Sequence, residues 1–240
     1  MKRTLPYLIF FFCCSNTWAQ KTEFALSVNS GLFHYTGSNS ASHSFFNSDG
    51  INQGYTNQSF GQLNGLCNGL GINIKRISKK GWMFGTEMAY EKLVSRVIID
   101  EVSLYSNIFY SIIVQDIKVT KGKTNLISTF ANIYPFFGKR FALGNVKTDV
   151  SAGFDLAIPV GIWEKGIATG PDGTTYTTNR TNGTQTFEIK PRMQLGFRYH
   201  KEGIYMGYSY GLSNLSKGLI GDAAFSSYTR YLRFGISYTL

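Results

Sequence analysis

The most regularly spaced ionisable residues lie at 188–198, where Glu188, Lys190, Arg192 and Arg198 hold even positions and Ile189, Pro191, Met193, Leu195 and Phe197 hold odd ones. In an extended chain this period of two puts every charge on one face and every apolar group on the other. The same parity sets Glu87 and Glu91 against Trp82, Phe84, Met88 and Tyr90. It sets Asp155 against Val150, Phe154, Leu156 and Ile158, and Arg233 against Leu232, Phe234 and Ile236. Glu87, Glu91, Asp155, Glu188, Lys190, Arg192, Arg198 and Arg233 are therefore expected to share one enclosed space. Charges in such a space must pair, and both signs are present. The chemistry open to them is a structural ion-pair network, a narrow ion path or a polar ligand site.

Other chemistry has little support. The 3 histidines, His34, His43 and His200, show no metal-ligand spacing, and the 3 cysteines are Cys13, Cys14 and Cys67. Cys13 and Cys14 belong to an apolar leader, which leaves Cys67 alone, without a disulfide partner or a cysteine metal site. His43, Ser48 and Asp49 carry the residue types of a nucleophilic triad and would suit a rim-sited lipid-modifying enzyme, but no motif frames them. No phosphate-binding glycine loop or nucleophile elbow occurs, so no catalytic residue, cofactor or metal is expected. The sequons at 179–181 and 182–184 are read as coincidental.

The elements that must position these charges are β-strands. Alternation marks residues 24–35, 66–76, 82–92, 126–134, 149–160, 187–200, 204–212 and 228–240. The stretch at 126–134 is the least clean. The connections alternate between long (37–60, 95–122, 161–186, 213–227) and short or moderate (78–81, 136–147, 201–203). Short turns at one end, long loops at the other and an even strand number are the pattern of an outer-membrane barrel. The fold class expected is all-β, an eight-stranded antiparallel up-and-down transmembrane barrel with a polar, side-chain-filled lumen. The connection at 95–122 is unusually apolar and reads as a hairpin extending its flanking strands beyond the membrane; ten strands is the alternative count. Pro171-Asp172-Gly173 reads as the turn of the third long loop.

A soluble barrel would alternate too, with its apolar face inward. Against that stand the charges on the polar face and the large aromatics near the strand ends. Trp82, Tyr134, Tyr199 and Tyr238 are placed in an outward girdle at the turn side, and Tyr90, Tyr210 and Tyr228 at the loop side. Mean hydropathy is −0.10, as expected where lipid-facing and lumen-facing residues average out. Residues 1–19 read as a secretory signal, with Lys2 and Arg3, an apolar run at 5–14 and a Thr17-Trp18-Ala19 cleavage site. A lipoprotein signal at Cys14 is the alternative. Residues 20–240 then form one barrel domain with both termini periplasmic. The formal charge is +10; without Lys2 and Arg3, 22 basic residues face 14 acidic ones, leaving +8. For an exported chain that balance favours an anionic lipid surface, lipopolysaccharide included, over nucleic acid. A surface or envelope protein partner is expected to use loops 37–60 and 95–122.

At Tyr208–Asn214, read as YSYGLSN and followed by a terminal aromatic-alternating strand, the chain resembles the PorT-like outer-membrane β-barrel family. The resemblance extends over most of the mature chain as a pattern of strands and turns. It implies an eight-stranded outer-membrane barrel, in one branch serving protein secretion and gliding. The chain ends in Leu240, where many outer-membrane proteins end in Phe.

Overall fold

The computed structural model describes residues 19–48, 54–108, 111–181, 187–216 and 225–240. Residues 1–18 of the expected leader, Asp49 and the sequon at 182–184 lie outside them. In chain order the strands are β1 (Ala19–Thr36), β2 (Ser40–Ala41), β3 (His43–Ser48), β4 (Tyr55–Thr56), β5 (Phe60–Gly61), β6 (Leu63–Ser78), β7 (Trp82–Ile108), β8 (Ser111–Leu143), β9 (Val146–Thr169), β10 (Thr175–Thr181), β11 (Glu188–Tyr199), β12 (Glu202–Tyr210) and β13 (Tyr228–Thr239). Antiparallel pairing runs β1–β6–β7–β8–β9–β11–β12–β13, and β13 returns to β1 over Ala25↔Thr239 to Thr36↔Tyr228. Eight strands therefore close a ring with no free edge in its wall.

The outward face is apolar on all eight strands. Phe24, Leu26, Leu70, Ile72, Phe84, Met88, Phe137, Phe154, Met193, Ile204, Phe234 and Ile236 each keep more than two-fifths of their surface exposed. The lumen buries Arg192, Arg233 and Lys190 almost completely. A soluble barrel inverts this arrangement. The 12 residues of β11 rise about 40 Å along the strand, or about 30 Å along the axis at the usual tilt of ~40°, enough to cross a hydrocarbon layer. The molecule is an eight-stranded transmembrane β-barrel.

Three connections differ from expectation. The moderate turn placed at 136–147 is a two-residue turn, Gly144-Asn145, with Gly144 at φ +61°; β8 and β9 continue up to it. Of the loop placed at 161–186, residues 161–181 are the upper half of β9 paired with β10 through the turn at 170–174. The alternation fails there because Val160 is a bulge: Thr129 pairs with Gly161 and Phe130 with Pro159, so the inward parity changes from odd (Asp155, Ala157) to even (Ile162, Glu164). The loop at 37–60 contains β2, β3 and β4 and leads into β5. The turn signal at 171–173 and the hairpin reading of 95–122 agree with the structure. β7 and β8 stay paired from Trp82↔Lys139 to Ile108↔Ser111 and add no strand to the ring.

These extensions build an upper storey. Its order is β10-β9-β8-β7-β3-β4, with β3 parallel to β7. The Arg180 guanidinium of β10 lies 5.1 Å from the Tyr55 ring, and the Thr56 N–H donates to Glu164 Oε1 of β9 at 2.7 Å, drawing β4 toward both strands. Phe46, Val97, Ile99, Val102, Ala168 and Tyr176 form its core. At the tip, the Thr174 N–H donates to Asp172 Oδ1 at 2.9 Å and holds that carboxyl below its ordinary pKa.

Candidate functional site

The barrel wall presents a column of charge in three tiers. In the middle tier Asp155 joins two arginines: Arg192 Nη1 lies 3.2 Å from Oδ1, and Arg233 Nη1 and Nη2 lie 3.2 Å from Oδ2. Ser209 Oγ donates to the same Oδ2 at 2.7 Å. Arg192 also reaches Glu87 at 3.0 Å and donates to Gln194. Arg233 holds Glu91 through Nε at 3.2 Å and Nη2 at 3.1 Å, and Asn29 and Asn132 donate to the same carboxylate. The guanidinium of Arg192 lies 4.1 Å from the Tyr134 ring centre, and that of Arg233 lies 4.3 Å from Tyr231. Each cation therefore has carboxylates in its plane and a π-face beside it.

Above this tier, Lys190 lies 3.3 Å from Glu188 and 4.7 Å from the Phe130 ring centre, and Thr229 donates to Glu188. Near the tight turns, Glu23 takes Arg198 at 2.5 and 2.9 Å and Arg140 at 3.0 and 3.1 Å; Asp149 takes Arg140 and, at 2.7 Å, Lys75. All eight charges expected in the lumen lie there, seven of them in the middle and upper tiers. Arg198 stands apart with Glu23.

Sequence reading missed Glu23, Lys75, Arg140 and Asp149 as members of the set. Lys75 and Asp149 were on the inward face but unselected. Glu23 shares the parity of Ala25 and Ser27 and falls one residue outside the expected first strand. Arg140 was assigned to a turn. Lys21, largely exposed and 3.5 Å from Glu23, lies at the tight-turn end outside the column. Among the described residues the column itself holds six carboxylates (Glu23, Glu87, Glu91, Asp149, Asp155, Glu188) and six cations (Lys75, Arg140, Lys190, Arg192, Arg198, Arg233). Their formal charges cancel.

Tyr134 is a correction to the girdle. It is 1 % exposed and faces the lumen, because the even residues of β8 point inward and its ring stacks on Arg192. Trp82, Tyr90, Tyr199, Tyr210 and Tyr238 are exposed on the outer face as expected, Tyr228 is half-buried, and Trp163 joins them from the stretch read as loop.

The mouth of the column is covered. Phe60 packs edge-to-face on Tyr35 with ring centres 5.0 Å apart, over a cluster that includes Phe33, Leu93, Leu126, Phe130 and Leu215. In the lower lumen a cavity of about 60 Å³ remains beside Lys75, Glu87, Asp149 and Arg198. Cys67 is buried, and its sulfur accepts the Val94 N–H at 3.2 Å. The candidate rim triad is not assembled. His43 pairs with Asp100 at 2.6 Å, and Ser48 lies five positions further along the same extended strand, about 16 Å away. Among the described residues no group of three or more His, Cys, Asp or Glu could hold a metal ion.

No family model matches the chain, and no curated protein matches it. Solved structures similar to it include the attachment invasion locus protein Ail of Yersinia pestis in complex with the heparin analogue sucrose octasulfate (12 % identity, 92 % of this chain, 100 % of that one, TM-score 0.38). Neisserial surface protein A is similar at 10 % identity, over 92 % of this chain and 100 % of that one, with TM-score 0.37. OccK9 (OpdG) of Pseudomonas aeruginosa is similar at 10 % identity, over 93 % and 100 %, with TM-score 0.16. The barrel assignment rests on the closed ring and the apolar outer face, not on these likenesses.

Proposed function

We propose that the chain is a non-enzymatic outer-membrane protein whose lumen is a structural plug and whose upper storey makes contacts at the cell surface. The observation that carries this reading is the neutral, multiply bonded charge column beneath an aromatic cover. An ion path needs mobile water and free charge along its length, whereas every arginine in the middle tier is held by at least two carboxylates. The upper storey, by contrast, is an ordered sheet with its own apolar core, a form suited to presenting a binding face. On this reading the tight turns and both termini lie in the periplasm, and the long connections face outward. The partners are outer-membrane lipid, lipopolysaccharide included, and a surface or envelope protein bound through 37–60 and 95–122, with no part for nucleic acid. The resemblance to PorT-like barrels adds support of secretion or envelope assembly as the finer role.

The test is conductance in planar bilayers. The wild-type barrel, confirmed as inserted, is expected to give no discrete current steps. Steps that change with Arg192→Ala or Glu87→Ala would establish the second reading, a small ion channel through the column.

A further inference from the structure

Resting on the outer-membrane reading, we infer that the outer face of β7, β8 and β9 binds the phosphates of an outer-leaflet glycolipid. Pairing sets the side chains of this face in rows. Val94, Ile127 and Trp163 form one row, from Val94↔Ile127 and Ile127↔Trp163. The next row outward is Arg96, Asn125 and Lys165, and the one beyond it is Ile98, Lys123 and Ile167; Lys121 follows on β8. Arg96, Lys121, Lys123 and Lys165 are all exposed. Strands lie about 4.8 Å apart and alternate residues about 6.7 Å apart, so neighbouring members of the group are within roughly 10 Å of each other.

Three observations point to a phosphorylated lipid. First, among the described residues none of the four cations is ion-paired. The nearest acidic groups along β7 are Asp100, which His43 engages, and Glu101, opposite Val119 in the register. Second, the four cations begin one row above Trp163, an aromatic of the kind that marks the interface between hydrocarbon and headgroups, while Lys92 faces out one row below it. A headgroup phosphate would sit at that height. Third, the patch is one-sided. On the opposite wall at the loop end, Arg230 lies over the Tyr210 ring at 3.4 Å. Several cations on adjacent rigid strands can hold two phosphates of one headgroup at once, which a single lysine cannot do.

The probe is diphosphoryl lipid A, added to the full mature barrel in zwitterionic nanodiscs. With Trp82→Phe in the background, Trp163 fluorescence reports binding. The triple variant Arg96→Gln/Lys123→Gln/Lys165→Gln is expected to weaken lipid A binding by about tenfold or more. Dephosphorylated lipid A should bind the wild type as weakly as lipid A binds the triple variant. The double variant Lys139→Gln/Lys201→Gln, at the tight-turn rim, is the charge control and should bind as wild type does. Equal affinity in the wild type and the triple variant would overturn the site, as would equal weakening by the control. Displacement of lipid A by millimolar inorganic phosphate would show an anion site without lipid selectivity and would also overturn it. A heat-dependent gel shift of each protein separates these outcomes from failure of the membrane reading. A folded wild type that binds no lipid A sinks only this site, whereas a wild type without a gel shift sinks the reading beneath it. If the triple variant does not fold, Lys165→Gln alone is expected to weaken binding about threefold, and no change there would count against the site.

Discussion

Replacing Arg233 with methionine is expected to lower the stability of the folded barrel by about 3–5 kcal/mol. Arg233 is fully buried and donates to Glu91, Asp155 and Ser209. Methionine fills much of the same volume but leaves two carboxylates with less compensation. Removing one partner of a buried ion pair costs far more than the pair itself contributes, because the remaining charge stays out of water. The check is urea unfolding of the refolded protein in detergent, followed by tryptophan fluorescence. At a typical slope of ~2 kcal/mol per molar, the midpoint should fall by about 2 M. Adding Glu91→Gln and Asp155→Asn should restore a large part of the loss. A midpoint unchanged in Arg233→Met would mean that water reaches the tier and the lumen is open.

Trimming the long hairpin should separate barrel from surface function. Residues 98–123 would be replaced by Asn-Gly, which closes a two-residue hairpin between Val97 and Thr124. Those two residues are paired, and the register below them runs unbroken to Trp82↔Lys139. The ring therefore keeps its wall, and the trimmed chain should still show the heat-dependent gel shift of a folded barrel. The upper storey loses Ile99 and Val102 from its core and the strand against which β3 lies. Binding of the proposed surface or envelope protein partner to the displayed barrel is expected to fall at least tenfold. Undiminished binding with the trimmed barrel in the membrane would remove the upper storey from the proposed function.

The barrel was legible because lipid and lumen impose opposite polarities on alternate residues; β11 keeps that alternation throughout, and β13 breaks it only at Arg230. The charged set was legible for the same reason. Of the upper storey only the β7–β8 hairpin at 95–122 was legible. Val160 shifts the parity of β9 by one residue, and a second register shift between Ile99 and Glu101 does the same on β7, so a period-two pattern ends in each case while the strand continues. β2 to β5 are short and lie in a stretch rich in Ser, Asn and Gly, and tertiary pairing rather than propensity holds them. Tyr134 was misplaced because an aromatic residue can satisfy a lumen as well as a membrane when a guanidinium lies on its ring. Elsewhere the lumen selects for small size: Gly235 lies beneath the Tyr205 ring, where a Cβ would overlap it.

The most direct test is the heat-modifiability of the mature chain refolded in detergent, read on a gel. If the exposed apolar belt meets lipid and the charged column fills the barrel, the unboiled protein runs faster than the boiled one and needs detergent to stay in solution. A single unshifted band from protein that remains soluble without detergent would contradict it, since the belt could not then be the outer face.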